Sequence, residues 1–156
     1  LTEEKAIRDI DTWTIADTLM SGYTTVIFML RKAATAGNSS PEPICTDNDV
    51  PQSPLAFQAA RHIVAVFDWL FRRFPDPGTV SFVFGGYRSY VGIGYLVKSI
   101  LQAPDSSVYA EDIELLESVG GHVTYVSKLE NEFTPLARAI QYLIGELRNK
   151  VEASNT

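Results

Sequence analysis

The chain is predicted to be all-α, an antiparallel array of about five to seven helices, and three observations predict it. Apolar residues recur at steps of three and four along most of its length. A cap-plus-proline start appears twice, at Ser53-Pro54 and Thr134-Pro135. The breaks between periodic stretches fall at Pro/Gly/Ser/Asp clusters. With 46% hydrophobic residues in 156, the chain has enough apolar side chains to fill one core, so a single helical domain over 1–156 is expected.

The strongest stretch is Ser53 to Phe74. Ser53 is placed to accept an amide hydrogen bond from the first turn, and Pro54 sits where a missing N–H costs nothing. Leu55, Ala59, Ile63, Phe67, Leu70 and Phe74, flanked by Ala56, Ala60, Val64 and Phe71, form a wide apolar face. Arg72 and Arg73 suit the last turn, and Pro75-Asp76-Pro77-Gly78 turns the chain.

The other elements follow in order. Residues 1 to about 34 read as helix, with Glu3 and Glu4 in the first turn and Ile7, Ile10, Trp13, Ile15, Leu19, Tyr23, Val26, Ile27 and Leu30 in helical period. Ser21-Gly22 is a place for a kink or division, and Tyr23 to Leu30 is β-branched enough for strand, but the unbroken period favours helix. Residues 35–52 read as a flexible exposed loop with three prolines. Thr79 to Leu101 reads as a helix whose first residues, to Phe84, also fit a short strand. Val83, Tyr87, Tyr90, Val91, Gly94, Tyr95, Val97 and Leu101 make its apolar band. Gly85, Gly86, Gly92 and Gly94 weaken it by roughly 1 kcal/mol each against Ala, which close helix packing or room for a ligand would explain. A helix is expected from about Val108 to Lys128, started by Asp105, Ser106 or Ser107, with Ile113, Leu116, Val119, Val123 and Val126 inward and Gly120-Gly121 a weak point. Its carboxylates Glu111, Asp112, Glu114 and Glu117 read as a solvated face. The last helix is expected over about Pro135 to Lys150, with Leu136, Ile140, Leu143, Ile144, Leu147 and Val151 inward and a frayed tail.

Composition excludes several functions. A net charge of −6 and a pI near 4.8 make this segment a poor partner for phosphate backbones. Cys45 is alone, so the chain holds neither an internal disulfide nor a cysteine-based zinc site. No apolar run approaches the roughly 20 residues that cross a bilayer. The charged start LTEEKAIRD has no signal-peptide core and no initiator Met, so a fragment of a longer protein is expected. Asn38-Ser39-Ser40 matches the glycosylation sequon, a pattern too short to weigh against the absence of any secretory feature.

No motif names a reaction. The glycines fit neither G-x-G-x-x-G nor the P-loop, and no serine stands in a G-x-S-x-G elbow. His62 and His122 lack a second ligand at helical spacing, so no metal site is expected and both read as surface or supporting histidines. The more informative group is Tyr87, Arg88, Tyr90, Tyr95 and Lys98. Two cations interrupt an otherwise apolar helix, and each charge must reach water, a carboxylate or a ligand. Snorkelling to the surface is the plain reading. The sharper one is a polar anchor in an effector pocket, with Trp13, Tyr23, Phe67 and Trp69 as aromatic walls.

One family resembles this order of pieces. A helix rich in aromatic and aliphatic residues precedes a variable loop. Then come an amphipathic helix carrying Ala59-Ala60-Arg61 with Ile63 and Val64, the apolar stretch Phe82 to Leu101, and two closing helices holding Glu111-Asp112-Ile113-Glu114-Leu115-Leu116 and Pro135 to Arg148. From about residue 14 to 149 this texture resembles the C-terminal half of the regulatory (middle homology) domain of fungal zinc binuclear-cluster transcription factors. The resemblance implies a nuclear, non-enzymatic domain that controls transcription activation by binding a small-molecule effector or a partner protein, a second copy included. It implies no cofactor in this segment, zinc belonging to a six-cysteine DNA-binding cluster outside it. The alternative is a helical interaction or dimerisation module without a ligand, and a weaker third is an enzyme fragment whose catalytic residues lie elsewhere. An enclosed cavity lined by Tyr87, Tyr95 and Lys98 would favour the first reading, and a filled core with an exposed apolar face the second.

Overall fold

The computed structural model describes residues 2–36, 53–102 and 106–154. They form six α-helices and one 3-10 turn: α1 (Glu3–Ala36), α2 (Pro54–Arg73), α3 (Pro77–Gly85), α4 (Arg88–Gln102), α5 (Ser106–Leu129), the turn Asn131–Phe133, and α6 (Thr134–Ser154). The expected all-α array is therefore what these residues build. Beyond Ala36, the expected loop with Asn38 and Cys45 lies outside the described residues, as do the candidate cap Asp105 and the side chains of Ser106 and Ser107.

Helix α2 is the hub, packing on α1, α4 and α5. Its start is as the sequence predicts. Ser53 is extended and its hydroxyl accepts from the Ala56 amide at 3.4 Å, with Pro54 opening the helix. Ala56, Ala60, Ile63, Val64, Phe67 and Leu70 are almost fully enclosed. Leu55 departs from expectation and lies 59% exposed, because Ala56 takes the inward position of the first turn. After α2, Asp76 caps α3 by accepting from the Thr79 amide, and the Thr79 hydroxyl donates to the Phe74 carbonyl at 2.6 Å. These two bonds make Thr79 to Phe84 helical rather than a strand.

The single helix expected over Thr79 to Leu101 is two. Gly85 and Gly86 end α3, and Tyr87 turns the chain with a φ of 60°, a left-handed conformation that ordinary residues rarely adopt. Tyr87, Tyr90 and Gly94 consequently leave the apolar band assigned to them and face outward. Helices α2 and α4 pack antiparallel. A Cβ on Gly92 would lie 2.7 Å from Ile63 Cγ2, while Tyr95 hydrogen-bonds the Ser53 backbone at the far end. Gly94, expected to share this close approach, has no atom of the described residues within 4 Å of its Cβ position.

Helices α5 and α6 close the core. Gly120 is not a weak point but a contact, since its Cβ would meet Ile144 Cδ1 at 2.6 Å. Thr134 is already helical (φ −59°, ψ −43°) after the 3-10 turn, so it does not repeat the extended Ser53 cap. The C-terminal helix continues to Ser154, past the expected fraying point.

Helix α1 is one unbroken rod of 34 residues, about 51 Å long, without division at Ser21-Gly22. Trp13, Ala16, Met20, Tyr23, Thr24 and Ile27 face the core. Ile7, Ile10, Ile15 and Leu19, expected on the same face, point outward. The reason is that α1 is apolar on both sides, so its period alone does not say which side is buried.

Candidate functional site

Three places carry the polar and aromatic side chains of interest. The first is the seam between α2 and α5. Arg61 Nε donates to Asp112 Oδ1 at 2.6 Å and its Nη2 to Oδ2 at 2.8 Å, a two-pronged pair. Asp112 is only 1% exposed, so its reading as part of a solvated acidic face is corrected. The guanidinium also lies over the Phe57 ring, 5.1 Å from its centroid. This pairing raises the Arg61 pKa, chiefly through the Asp112 hydrogen bond. A turn or two along, Asp68 collects three donors. Ser118 Oγ donates at 2.6 Å and His122 Nε2 at 2.8 Å to Oδ1, and Arg72 Nε at 2.8 Å to Oδ2. Burial pushes the Asp68 carboxyl up, but the hydrogen bonds from Arg72, Ser118 and His122 outweigh it and hold it below the ordinary value. The His122 ring stacks on Phe71 at 4.4 Å.

Serine, histidine and aspartate meet here without forming a nucleophile. The Ser118 proton goes to Asp68, and the histidine gives the same oxygen its Nε2 proton. A triad needs the hydroxyl to donate to the imidazole. The arrangement ties α5 to α2.

The second place is the junction of α1 with the start of α4. Arg88, mostly buried, pairs with Asp17 and donates to Ser21 Oγ at 3.2 Å. Its guanidinium lies over Phe82, 5.2 Å from the ring centre. Snorkelling is therefore replaced by a carboxylate partner across the helix interface. Trp13 meets the same Phe82 edge-on at 4.8 Å and stacks on Phe74 at 5.1 Å. Arg88 Nε and, next in the chain, Ser89 Oγ are buried without a hydrogen-bond partner among the described residues.

The residues expected to line one pocket thus occupy several sites. Trp13 and Arg88 share Phe82. Tyr23 stacks on His62 at 4.9 Å, and His62 Nδ1 donates to the Gln58 carbonyl. Phe67 is fully enclosed and meets Phe71 and Phe84 edge-on. Tyr87 is 75% exposed. Tyr95 is buried, which raises its pKa, and sits at the α2 start; Lys98 is half-buried further along α4.

The third place is the outer face of α1, where Ile15, Phe28 and Met29 are each at least half exposed. From Thr18 to Leu30 this helix carries no charged side chain on any side. The threonines on its outer face turn their hydroxyls inward along their own helix. Thr14, Thr18 and Thr25 donate to the carbonyls of Ile10, Thr14 and Ser21 at 2.8–2.9 Å. Their donors are thereby satisfied and their methyl groups are left to the surface.

Sequence reasoning missed Asp68, Ser118 and the Arg61–Asp112 pair. Only the Asp68/Arg72 spacing of four was legible; the other partners stand about 50 residues apart. Among the described residues no His, Cys, Asp and Glu side chains gather in a group suited to a metal ion, and no helix is long and apolar enough to cross a membrane. Compared with models of known families, with curated proteins and with solved structures, the chain gives no match.

Proposed function

We propose that this chain is a non-enzymatic helical regulatory domain of a zinc binuclear-cluster type transcription factor, acting in the nucleus through protein contact on the outer face of α1. The family part rests on the resemblance carried by Ala59-Ala60-Arg61, Phe82 to Leu101 and the two closing helices. The structure adds that two resembling stretches, the first at Arg61 and the other at Asp112, meet in a buried ion pair.

One observation carries the mode of action. From Thr18 to Leu30 a long helix presents an uncharged, largely apolar outer surface. A helix apolar all round belongs inside something, and a large exposed apolar surface is the mark of an interaction site. A second reading, an effector held between α1 and α4, is favoured by the unpartnered Arg88 Nε, whose guanidinium lies over the Phe82 ring that Trp13 also meets, and by the unpartnered Ser89 Oγ next to it in the chain.

The test is a transcription reporter driven by this domain fused between a heterologous DNA-binding module and an activation segment. The domain is expected to change reporter output several-fold. Ile15→Glu with Met29→Glu should abolish that change while far-UV circular dichroism stays helical. Unchanged output with the folded double variant would refute contact through α1. Loss on Ser89→Ala, which removes an unpartnered buried hydroxyl, with the α1 variants silent would favour the effector reading.

A further inference from the structure

Trp13 sits in a two-sided bracket. It stacks on Phe74 at 5.1 Å between ring centres and meets Phe82 edge-on at 4.8 Å. Each of those rings carries an arginine. Arg73 lies 5.6 Å over Phe74, and Arg88 lies 5.2 Å over Phe82. Each arginine in turn takes a carboxylate from α1. Arg73 Nη2 is 3.5 Å from Asp9 Oδ1, and Arg88 pairs with Asp17. Asp9 stands four residues before Trp13 and Asp17 four after it, so the three share one side of the helix. An aromatic anchor in an apolar slot, with charge pairs at the rim, is the anatomy of a docking interface.

The slot itself belongs to the rest of the fold. Phe74 ends α2, Phe82 lies in α3 and Arg88 opens α4. Among the described helices, α1 packs on α2 and α4 and not on α5 or α6. Of the largest fully buried side chains, Met20 alone comes from α1. The ties at the rim are light. Arg73 is 49% exposed and Asp17 52%, and partly solvated ion pairs hold weakly.

We propose that this slot is a docking site for an acidic helix of another protein, one whose aromatic residue has a carboxylate four positions to either side, and that α1 fills it in cis as an autoinhibitory plug. Charge complementarity selects that partner. Two arginines over two rings accept an aromatic side chain between two carboxylates, whereas a basic helix would set like charges against Arg73 and Arg88. The slot is covered by the inner face of α1, so the inference does not rest on the reading of the outer face given above.

The test uses the whole chain and, as probe, a fluorescent peptide of residues 5–21 read by anisotropy. In the parent, the tethered α1 competes at high effective concentration and the probe binds weakly. Asp9→Asn with Asp17→Asn in the chain removes the rim pairs of the plug and should tighten the probe by about tenfold. Hydrogen exchange should then show the chain's α1 amides losing protection as the probe binds. Adding Arg73→Glu to that chain should weaken the probe, and a probe with Asp9→Lys should recover the loss, which fixes both slot and register. A Trp13→Ala probe should not bind. The proposal is overturned by a probe that binds parent and double variant alike, or binds neither. It is also overturned by α1 amides that stay protected in the presence of bound probe. A double variant whose α2 to α6 amides lose protection along with α1 overturns it too, because α1 would then be part of the core and not a plug. Ile15→Glu with Met29→Glu alters only the outward face and leaves the slot intact, so the reporter and probe results fail or succeed separately.

Discussion

Arg61 and Asp112 illustrate what a single pair does in this molecule. Asp112 is almost fully enclosed, and a buried carboxylate is tolerable only with partners. Arg61, a third exposed at 34%, supplies two hydrogen bonds and keeps part of its guanidinium solvated. Arg61→Met removes the partner and leaves the charge. The expected loss is about 2–3 kcal/mol, below the range of roughly 3–5 for a fully buried pair because water reaches the arginine. Arg61→Met with Asp112→Leu should recover most of that loss, since an apolar pair of similar volume often replaces a buried ion pair without penalty. Urea unfolding of the two single variants and the double variant measures it. A double variant as weak as Arg61→Met would show that the pair stabilises through something other than charge burial. From the sequence, Arg61 belonged to a short motif and Asp112 to an acidic run. Nothing local joined them, because 51 residues separate the partners.

At the scale of the element, α4 shows how a helix distinguishes two similar residues. Gly92 and Gly94 stand two apart, on opposite sides of a 3.6-residue turn. Gly92 faces Ile63 of α2 at a distance no Cβ tolerates, with the Ala60 carbonyl oxygen 3.3 Å from the same position. Gly94 faces outward with space around it. Gly92→Ala should therefore destabilise by about 1–3 kcal/mol through overpacking. Gly94→Ala should stabilise by roughly 0.5–1 kcal/mol, the helix-propensity gain with no steric cost. Thermal melts of both variants decide it, and equal shifts would mean that α4 is rotated about its axis relative to α2. The same logic applies to α1. Its period marks it as a helix but does not mark which face is inside, since Ile7, Ile10, Ile15 and Leu19 are as apolar as the buried Ala16, Met20 and Ile27. The partners Trp13 finds on Phe74 and Phe82, and Asp9 on Arg73, set that rotation.

For the whole molecule, acid stability should report the α2–α5 seam. The folded Asp68 carboxyl titrates below its unfolded value, which is about 3.9. Its contribution is therefore fully present above the unfolded pKa and is lost as pH falls through the folded pKa. Asp68→Asn should lower stability at neutral pH and flatten the fall below about pH 4. Urea midpoints across an acid series test this. Parallel acid limbs for parent and variant would mean that Asp68 does not link pH to folding. The seam is also what joins the hub helix to the closing pair, with Arg148 reaching Glu117 between α5 and α6 at 2.6 Å.

What the sequence alone determined is local in origin. Helix class follows from the period, the α2 start from Ser53-Pro54, and the break after it from Pro75-Asp76, with Pro77 already opening α3. Each depends on interactions within about four residues, and such interactions are written in neighbouring letters. Tertiary structure decided the rest. It divided the expected third helix at Gly86-Tyr87, chose the inward face of α1, assigned one glycine of α4 to contact and the other to space, and brought Asp68 to Ser118 and His122. It also distributed the candidate site residues over separate contacts. These outcomes depend on which helix lies against which, and the free energy that selects among them is spread over a whole buried interface rather than held in any one segment.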